Sequence, residues 1–170
     1  MSEADFDFAI VGAGIAGIAL AARLAPHSRV LLLEREGQPG TQSTGRSAAM
    51  FMESYGPPQV RALTRASRAA YSAPAILPIL SPRGALYVAW EGQEAMLDAL
   101  AGPGLVRLDA AATMARVPVL RDDGLLGGVA EADAMDIDVH ALLQGWLAQA
   151  RGAGATLWTQ AELATAFCDD

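Results

Sequence analysis

Lysine is absent from this 170-residue chain, whose 12 basic residues are all arginine. That excludes lysine Schiff-base chemistry and any phosphate loop whose glycines end on a lysine. One cysteine, Cys168, and two histidines, His27 and His140, cannot build a disulfide framework or a zinc cluster, so no metal site is expected. Aromatics are only 6%, while 36 alanines and 17 glycines favour close helix–strand packing over large aromatic pockets. The longest apolar run, residues 8–22, is shorter than a bilayer span and holds three glycines, so no transmembrane segment is expected. The acidic start lacks the basic region of a secretory signal, and a cytoplasmic location is expected. A net charge of −7 and a pI near 4.7 argue against a nucleic-acid surface. The charge is uneven, +2 over residues 1–83 (8 Arg, 6 acids) and −9 over 84–170 (4 Arg, 13 acids), so an anionic ligand belongs with the first half.

What is there is 52% hydrophobic, enough to bury a core at this length. Residues 6–11 read as a buried strand ended at Gly12, 14–25 as a buried helix ended by Pro26, and 29–33 as a second buried strand. Strand, helix and strand in about 30 residues form a βαβ unit. Residues 41–50 read as a polar loop entering a helix near Arg46. A helix is expected over 58–71, with Arg61, Arg65 and Arg68 on one face, and residues 72–82, with three prolines, read as a connector. Further expectations are a strand at 85–90, a helix at 93–100, and a helix at 109–116 capped by Asp109. A strand at 125–130 follows, then a helix at 138–151 capped by Asp138, and strands at 156–159 and 163–167. The expected fold is α/β: a Rossmann-like nucleotide-binding βαβ sheet with an inserted α+β segment. Its divisions would be residues 1–56, the inserted 57–137, and a continuation of the first part at 138–170. Because the sequence stops directly after a predicted strand, a fragment is expected.

Gly12-Ala13-Gly14-Ile15-Ala16-Gly17 is the strongest signal, a G-x-G-x-x-G between a strand and a helix. Its first glycine permits the tight turn, its second lets backbone approach a pyrophosphate, and its third brings helix and strand together. The following helix N-terminus supplies N–H groups and partial positive charge to phosphates. Glu34 ends the second strand 22 residues after Gly12, where an acid grips a ribose hydroxyl and disfavours NADP. The loop from Gly40 through Ser43, Thr44, Gly45, Arg46, Ser47, Ala48 and Ala49 adds hydroxyls, N–H groups and an arginine at an expected helix start. A pyrophosphate contacted from two loops favours a buried FAD over an exchangeable NAD.

At this point the chain resembles the FAD-dependent D-amino-acid oxidase and dehydrogenase superfamily, N-terminal portion only. Leu33-Glu34-Arg35-Glu36, Gln38-Pro39-Gly40, Ser43 to Ala49, Tyr55-Gly56 and Pro58 to Thr64 are most similar to its D-arginine dehydrogenase branch. Pro118 to Arg121 and Asp136-Ile137-Asp138 extend the similarity. The resemblance implies that Gly12, Gly14, Ile15, Ala16 and Gly17 face the FAD pyrophosphate. Glu34 and Arg35 would hold the adenosine, Ser43 to Ala49 would run toward the flavin, and Glu162 would meet the adenine through its backbone. Tyr55 and Met50 would lie in the substrate pocket. It also implies hydride transfer from the Cα of a D-amino acid or related amine, an imine hydrolysing to a 2-oxo acid, and an unidentified electron acceptor. No catalytic residue is assigned.

Two departures bear on substrate. Chains of that branch carry a histidine where Met50 stands and a glutamate where Ala85 stands; Ala85 cannot pair with a cationic side chain, so neutral or apolar amines are expected. His27, His140, Cys168, the arginine stripe and the acids at 122–138 read as solvated, capping or packing residues. The rival readings are a non-catalytic truncated FAD-binding remnant and a flavin monooxygenase sharing the first motif.

Overall fold

A computed structural model describes residues 5–72, 78–100 and 102–167. In chain order its elements are β1 (Phe8–Val11), α1 (Ile15–Leu24), β2 (Val30–Leu33), β3 (Met50–Phe51), α2 (Pro58–Tyr71), β4 (Leu80–Pro82), β5 (Ala85–Trp90), α3 (Glu94–Asp98), β6 (Leu105–Leu108), α4 (Ala110–Arg116), β7 (Leu125–Glu131), β8 (Met135–Ile137), α5 (Val139–Gly152) and β9 (Thr156–Trp158). They divide into two compact units, the second comprising residues 50–72 and 80–137 among those described.

In the first unit β1, β2 and β9 form a parallel sheet in the order β1-β2-β9, with Phe8 opposite Val30 and Leu33 opposite Trp158. The return to the first sheet expected after residue 138 is therefore present. Val30, Leu31 and Leu32 are buried because β2 is the central strand and parallel strands are covered on both faces. Ile18, Ala21 and Ala22 of α1 are buried against α5, whose Leu142, Leu143, Trp146 and Leu147 form the expected apolar face. Small side chains on α1 allow that approach. Asp138 caps α5, accepting the Ala141 N–H at 2.8 Å.

The second unit has two antiparallel three-stranded sheets, β3-β8-β4 and β5-β7-β6. Ala89, Leu97 and Val129 make a core with Tyr87, Leu100, Leu105 and Leu126 packed against it. Gly127 and Gly128 in β7 allow close packing: a Cβ on Gly127 would stand 2.2 Å from the Leu108 carbonyl oxygen, and one on Gly128 2.6 Å from that of Tyr87. Asp109 caps α4 as expected, through the Ala112 N–H at 2.7 Å.

Several expectations fail. No helix begins near Arg46: residues 39–46 are turns, with one α-turn bond from the Arg46 N–H to the Gln42 carbonyl at 3.2 Å. The Ser47 hydroxyl then takes the Ala49 N–H at 3.1 Å, and Ala49 adopts φ +50, which ends any helical path before β3. Residues 163–167 form no strand. Gln160, at φ +54, turns the chain so that its N–H and that of Ala161 bond the carbonyls of Glu36 and Glu34, and the following residues stay exposed with no strand partner. The expected connector contains β4, an edge strand in which Pro82 is tolerated. Nor is the arginine stripe a plain solvated face. Arg68 pairs with Glu53 and lies 4.9 Å over the Phe51 ring, while Arg61 Nε donates to the Gly56 carbonyl at 2.7 Å. Cys168 lies outside the described residues.

Candidate cofactor site

The turn from β1 into α1 is shaped by two glycines. Gly12 adopts φ +98, which side chains other than glycine rarely accept, and its N–H closes the turn on the Leu33 carbonyl at 2.7 Å. Gly17, one turn into α1, sits so close to that turn that a Cβ would stand 2.0 Å from the Gly12 carbonyl oxygen. Gly14 begins α1 and offers no side-chain cap. The first turn of a helix carries N–H groups without internal partners. Here that of Ile15 is taken by Thr44 Oγ1 at 3.0 Å.

Glu34 lies at the C-terminal end of β2, and its carboxylate braces the turn. One oxygen accepts the Ala13 N–H at 2.8 Å and the other the Glu36 N–H at 2.9 Å. Each oxygen keeps a second lone-pair direction, so the group can still accept hydroxyl donors. Gln42 Nε2 bonds Glu36 Oε1 at 2.8 Å, drawing the 40–44 turn toward the end of β2.

Together these segments enclose a cleft of about 390 Å³ beyond the carboxyl ends of β1 and β2. Of the residues expected to bind cofactor, Gly12, Gly14, Glu34, Arg35, Ser43, Thr44 and Glu162 line it. Ile15 reaches it through the bond to Thr44. Ala16 is exposed on α1, and Gly17 sets the closeness of helix and turn. Gly45 and Ser47 line a second cleft of about 510 Å³ beside α5, which also takes His140, Gln144 and Arg151. Arg46 and Ala48 are exposed and line neither cleft, and the anion site expected of a helix start at Arg46 does not form, because there is no helix. In the second unit Met50 pairs with Asp136 in β3, Ala85 opens β5, and Tyr55 is 67% exposed in the turn before α2.

Thr41 and Gln42 of the expected loop, and Ala161, also line the first cleft without having been assigned individually to the cofactor from the sequence. The turn residues on either side of Ser43 carried the signal for the first two; nothing local marked Ala161, whose N–H bonds the Glu34 carbonyl at 2.9 Å. The cleft fits a dinucleotide: backbone without side chains at Gly12 and Gly14, the positive end of a helix beginning at Gly14, and a carboxylate at the strand end.

A family model, DAO, described as FAD dependent oxidoreductase, matches residues 7–167. Glycine oxidase from Geobacillus kaustophilus superposes with a TM-score of 0.72 at 23% identity, covering 91% of this chain and 46% of that one. Iminodiacetate oxidase from Chelativorans sp. BNC1 gives 0.63 at 26% identity, with 89% and 46% covered. L-alpha-glycerophosphate oxidase from Mycoplasma pneumoniae, solved with FAD bound, gives 0.79 at 15% identity, with 94% and 46% covered. The chain spans under half the length of these three. Among the described residues no helix is long and apolar enough to cross a membrane.

Proposed function

Since this chain belongs to the DAO family of FAD-dependent oxidoreductases, we propose that it carries the cofactor portion of an enzyme oxidising D-amino acids or related amines. The observation that carries the cofactor assignment is the cleft in which the glycine turn, the Glu34 carboxylate and the 40–44 turn converge. Bound FAD supplies a two-electron acceptor for hydride. Gly12, Gly14 and the first turn of α1 hold the pyrophosphate, Glu34 and Arg35 the adenosine, Glu162 the adenine, and Ser43 and Thr44 the phosphates. The segment from Gly45 to Ala49 continues toward the flavin.

The amine assignment is supported by the 26% identity to iminodiacetate oxidase and by the D-arginine dehydrogenase-like blocks around Glu34 and Tyr55. The substrate gives up hydride from Cα, its nitrogen lone pair closes the C=N bond as the N–H proton leaves, and water converts the imine to a 2-oxo acid and ammonia. Tyr55 and Met50 contact the substrate; Met50, apolar and adaptable, and Ala85, without charge, favour neutral side chains. The enzyme carrying this sequence should bleach its flavin anaerobically with D-leucine or D-methionine at higher kcat/KM than with D-arginine. A higher kcat/KM on D-arginine would defeat the substrate reading, and NAD(P)H oxidation would point instead to a flavin monooxygenase.

A second reading, a non-catalytic FAD-binding remnant, is separated from the first by the behaviour of the native protein. Flavin retained but bleached by no amine would establish it, and the 170 residues alone should turn over little or nothing.

The cofactor assignment has a direct test in Glu34→Gln. The amide keeps the volume but loses the charge and turns a donor toward one of the two N–H groups. With about 1.5–3 kcal/mol per hydrogen bond to a charged group, FAD affinity should fall at least about tenfold. Titration of flavin fluorescence with an unchanged Kd would remove Glu34 from the site.

A further inference from the structure

We propose that the cleft between α2 and the start of β6, in the second unit, is a binding site for a small carboxylate with an apolar body. It measures about 280 Å³, near the small end for ligand pockets. All of its lining residues belong to the second unit, whereas the cofactor cleft and the cleft beside α5 belong to the first. Met50, Tyr55 and Ala85 do not line it, so it is distinct from the substrate contacts proposed above.

Its unfilled polar capacity is all donor. Arg61 and Arg65 stand four residues apart on α2, which puts both on one face of the helix, and both line the cleft. Arg61 spends its Nε–H on the Gly56 carbonyl at 2.7 Å. Its terminal N–H groups, and the five donors of Arg65, have no partner among the described residues. The third arginine of the stripe is committed, since Arg68 pairs with Glu53 and donates to the Asp133 carbonyl at 3.3 Å. The two carboxylates of the lining are occupied as well. Glu53 is held by Arg68, and Glu131, buried, accepts the N–H groups of Glu53 and Ser54 and the Ser54 hydroxyl.

The chemistry of those donors selects the ligand. A guanidinium is a planar fork that meets a carboxylate with two parallel bonds. A phosphate dianion offers the same acceptors but brings a second negative charge beside Glu53 and Glu131, which repel it. The rest of the wall is hydrocarbon, from Pro58, Pro103 and Leu105. The last two belong to a turn closed by the Leu105 N–H on the Gly102 carbonyl at 3.3 Å. A short apolar body behind the carboxylate is shed from water against them.

The test follows the Nε–Hε signals of Arg61 and Arg65 by NMR in the native protein, grown with isotope-labelled arginine. Isovalerate should shift both signals saturably, with one shared Kd. Formate, which lacks the apolar body, and inorganic phosphate should each bind at least about tenfold more weakly. Isoamylamine, with the same body and the opposite charge, should shift neither signal. Arg65→Ala should weaken isovalerate at least about tenfold, and Arg65→Lys, which keeps the charge and loses the fork, should fall between the two. Arg65 is exposed, so the thermal midpoint of either variant should stay within about a degree of the parent. Isovalerate that shifts neither signal saturably would overturn the site. Phosphate as tight as isovalerate would overturn the ligand class, and parental affinity in Arg65→Ala would overturn the role of the arginine pair.

Discussion

Gly17→Val is expected to abolish flavin retention and to destabilise the fold by about 3 kcal/mol, at the upper end for forcing atoms into a packed interior. The reason is local and severe. A Cβ at residue 17 would stand 2.0 Å from the Gly12 carbonyl oxygen, 3.2 Å from its carbon and 3.3 Å from Ile10 Cγ2. Backbone atoms cannot swing aside as a side-chain tip can. Relief requires α1 to move off β1 or the Gly12 turn to open, and Gly12 is held at φ +98 by its bond to Leu33. Either movement displaces the first turn of α1 from the cleft. Purified Gly17→Val should show no flavin absorbance and a lower urea midpoint. Gly37→Ala is the control: a Cβ there meets nothing within 4 Å, and its stability should stay within about 0.5 kcal/mol of the parent. Flavin bound at parental affinity by Gly17→Val would mean that the third glycine has no part in shaping the site.

The same close approach explains why this corner of the molecule is readable from sequence. A turn that needs positive φ and a helix that must touch a strand each demand glycine, and both demands fall within six consecutive residues. Glu34 is legible for a related reason: its position follows from the length of the βαβ unit, although its second task, bracing the N–H groups of Ala13 and Glu36, leaves no local mark. Helix caps at Asp109 and Asp138 were equally plain, because capping is decided within four residues. The short strands of the second unit were not. Met50–Phe51 is a strand only because it pairs with Met135–Ile137, which pairs in turn with Leu80–Pro82 on its other side, and two or three residues carry no periodicity. Residues 163–167 fail in the opposite direction: an apolar run with strand-like composition finds no partner among the described residues. Strand identity in such stretches is a property of the neighbour, not of the segment.

Glu131 is the residue whose importance only the fold exposes, and its replacement by alanine is expected to lower stability by about 3 kcal/mol. It ends β7, is 5% exposed, and lies opposite Ala85 on one side and Leu105 on the other. One carboxylate oxygen accepts the N–H groups of Glu53 and Ser54 at 3.0 and 3.3 Å; the other accepts the Ser54 hydroxyl, which contacts the Tyr87 hydroxyl at 2.9 Å. A buried carboxylate is tolerated when its acceptor sites are filled in this way. Alanine would strand the donors it now satisfies, each costing about 1–3 kcal/mol if it stays buried, with partial relief where Glu53 reaches water. For a chain of this size that corresponds to a fall of roughly 6–12 °C in Tm. Glu131→Gln, isosteric and still an acceptor through one oxygen, should lose distinctly less than the alanine variant. The bonds anchor the segment leading directly into Tyr55. If Tyr55 meets the substrate as proposed, Glu131→Ala in the native enzyme should raise KM for the amine while leaving FAD affinity unchanged. A Tm within a degree of the parent would show that the segment from Glu53 to Tyr55 is held by something other than this carboxylate, and a weakened flavin would show that the damage is not confined to the second unit.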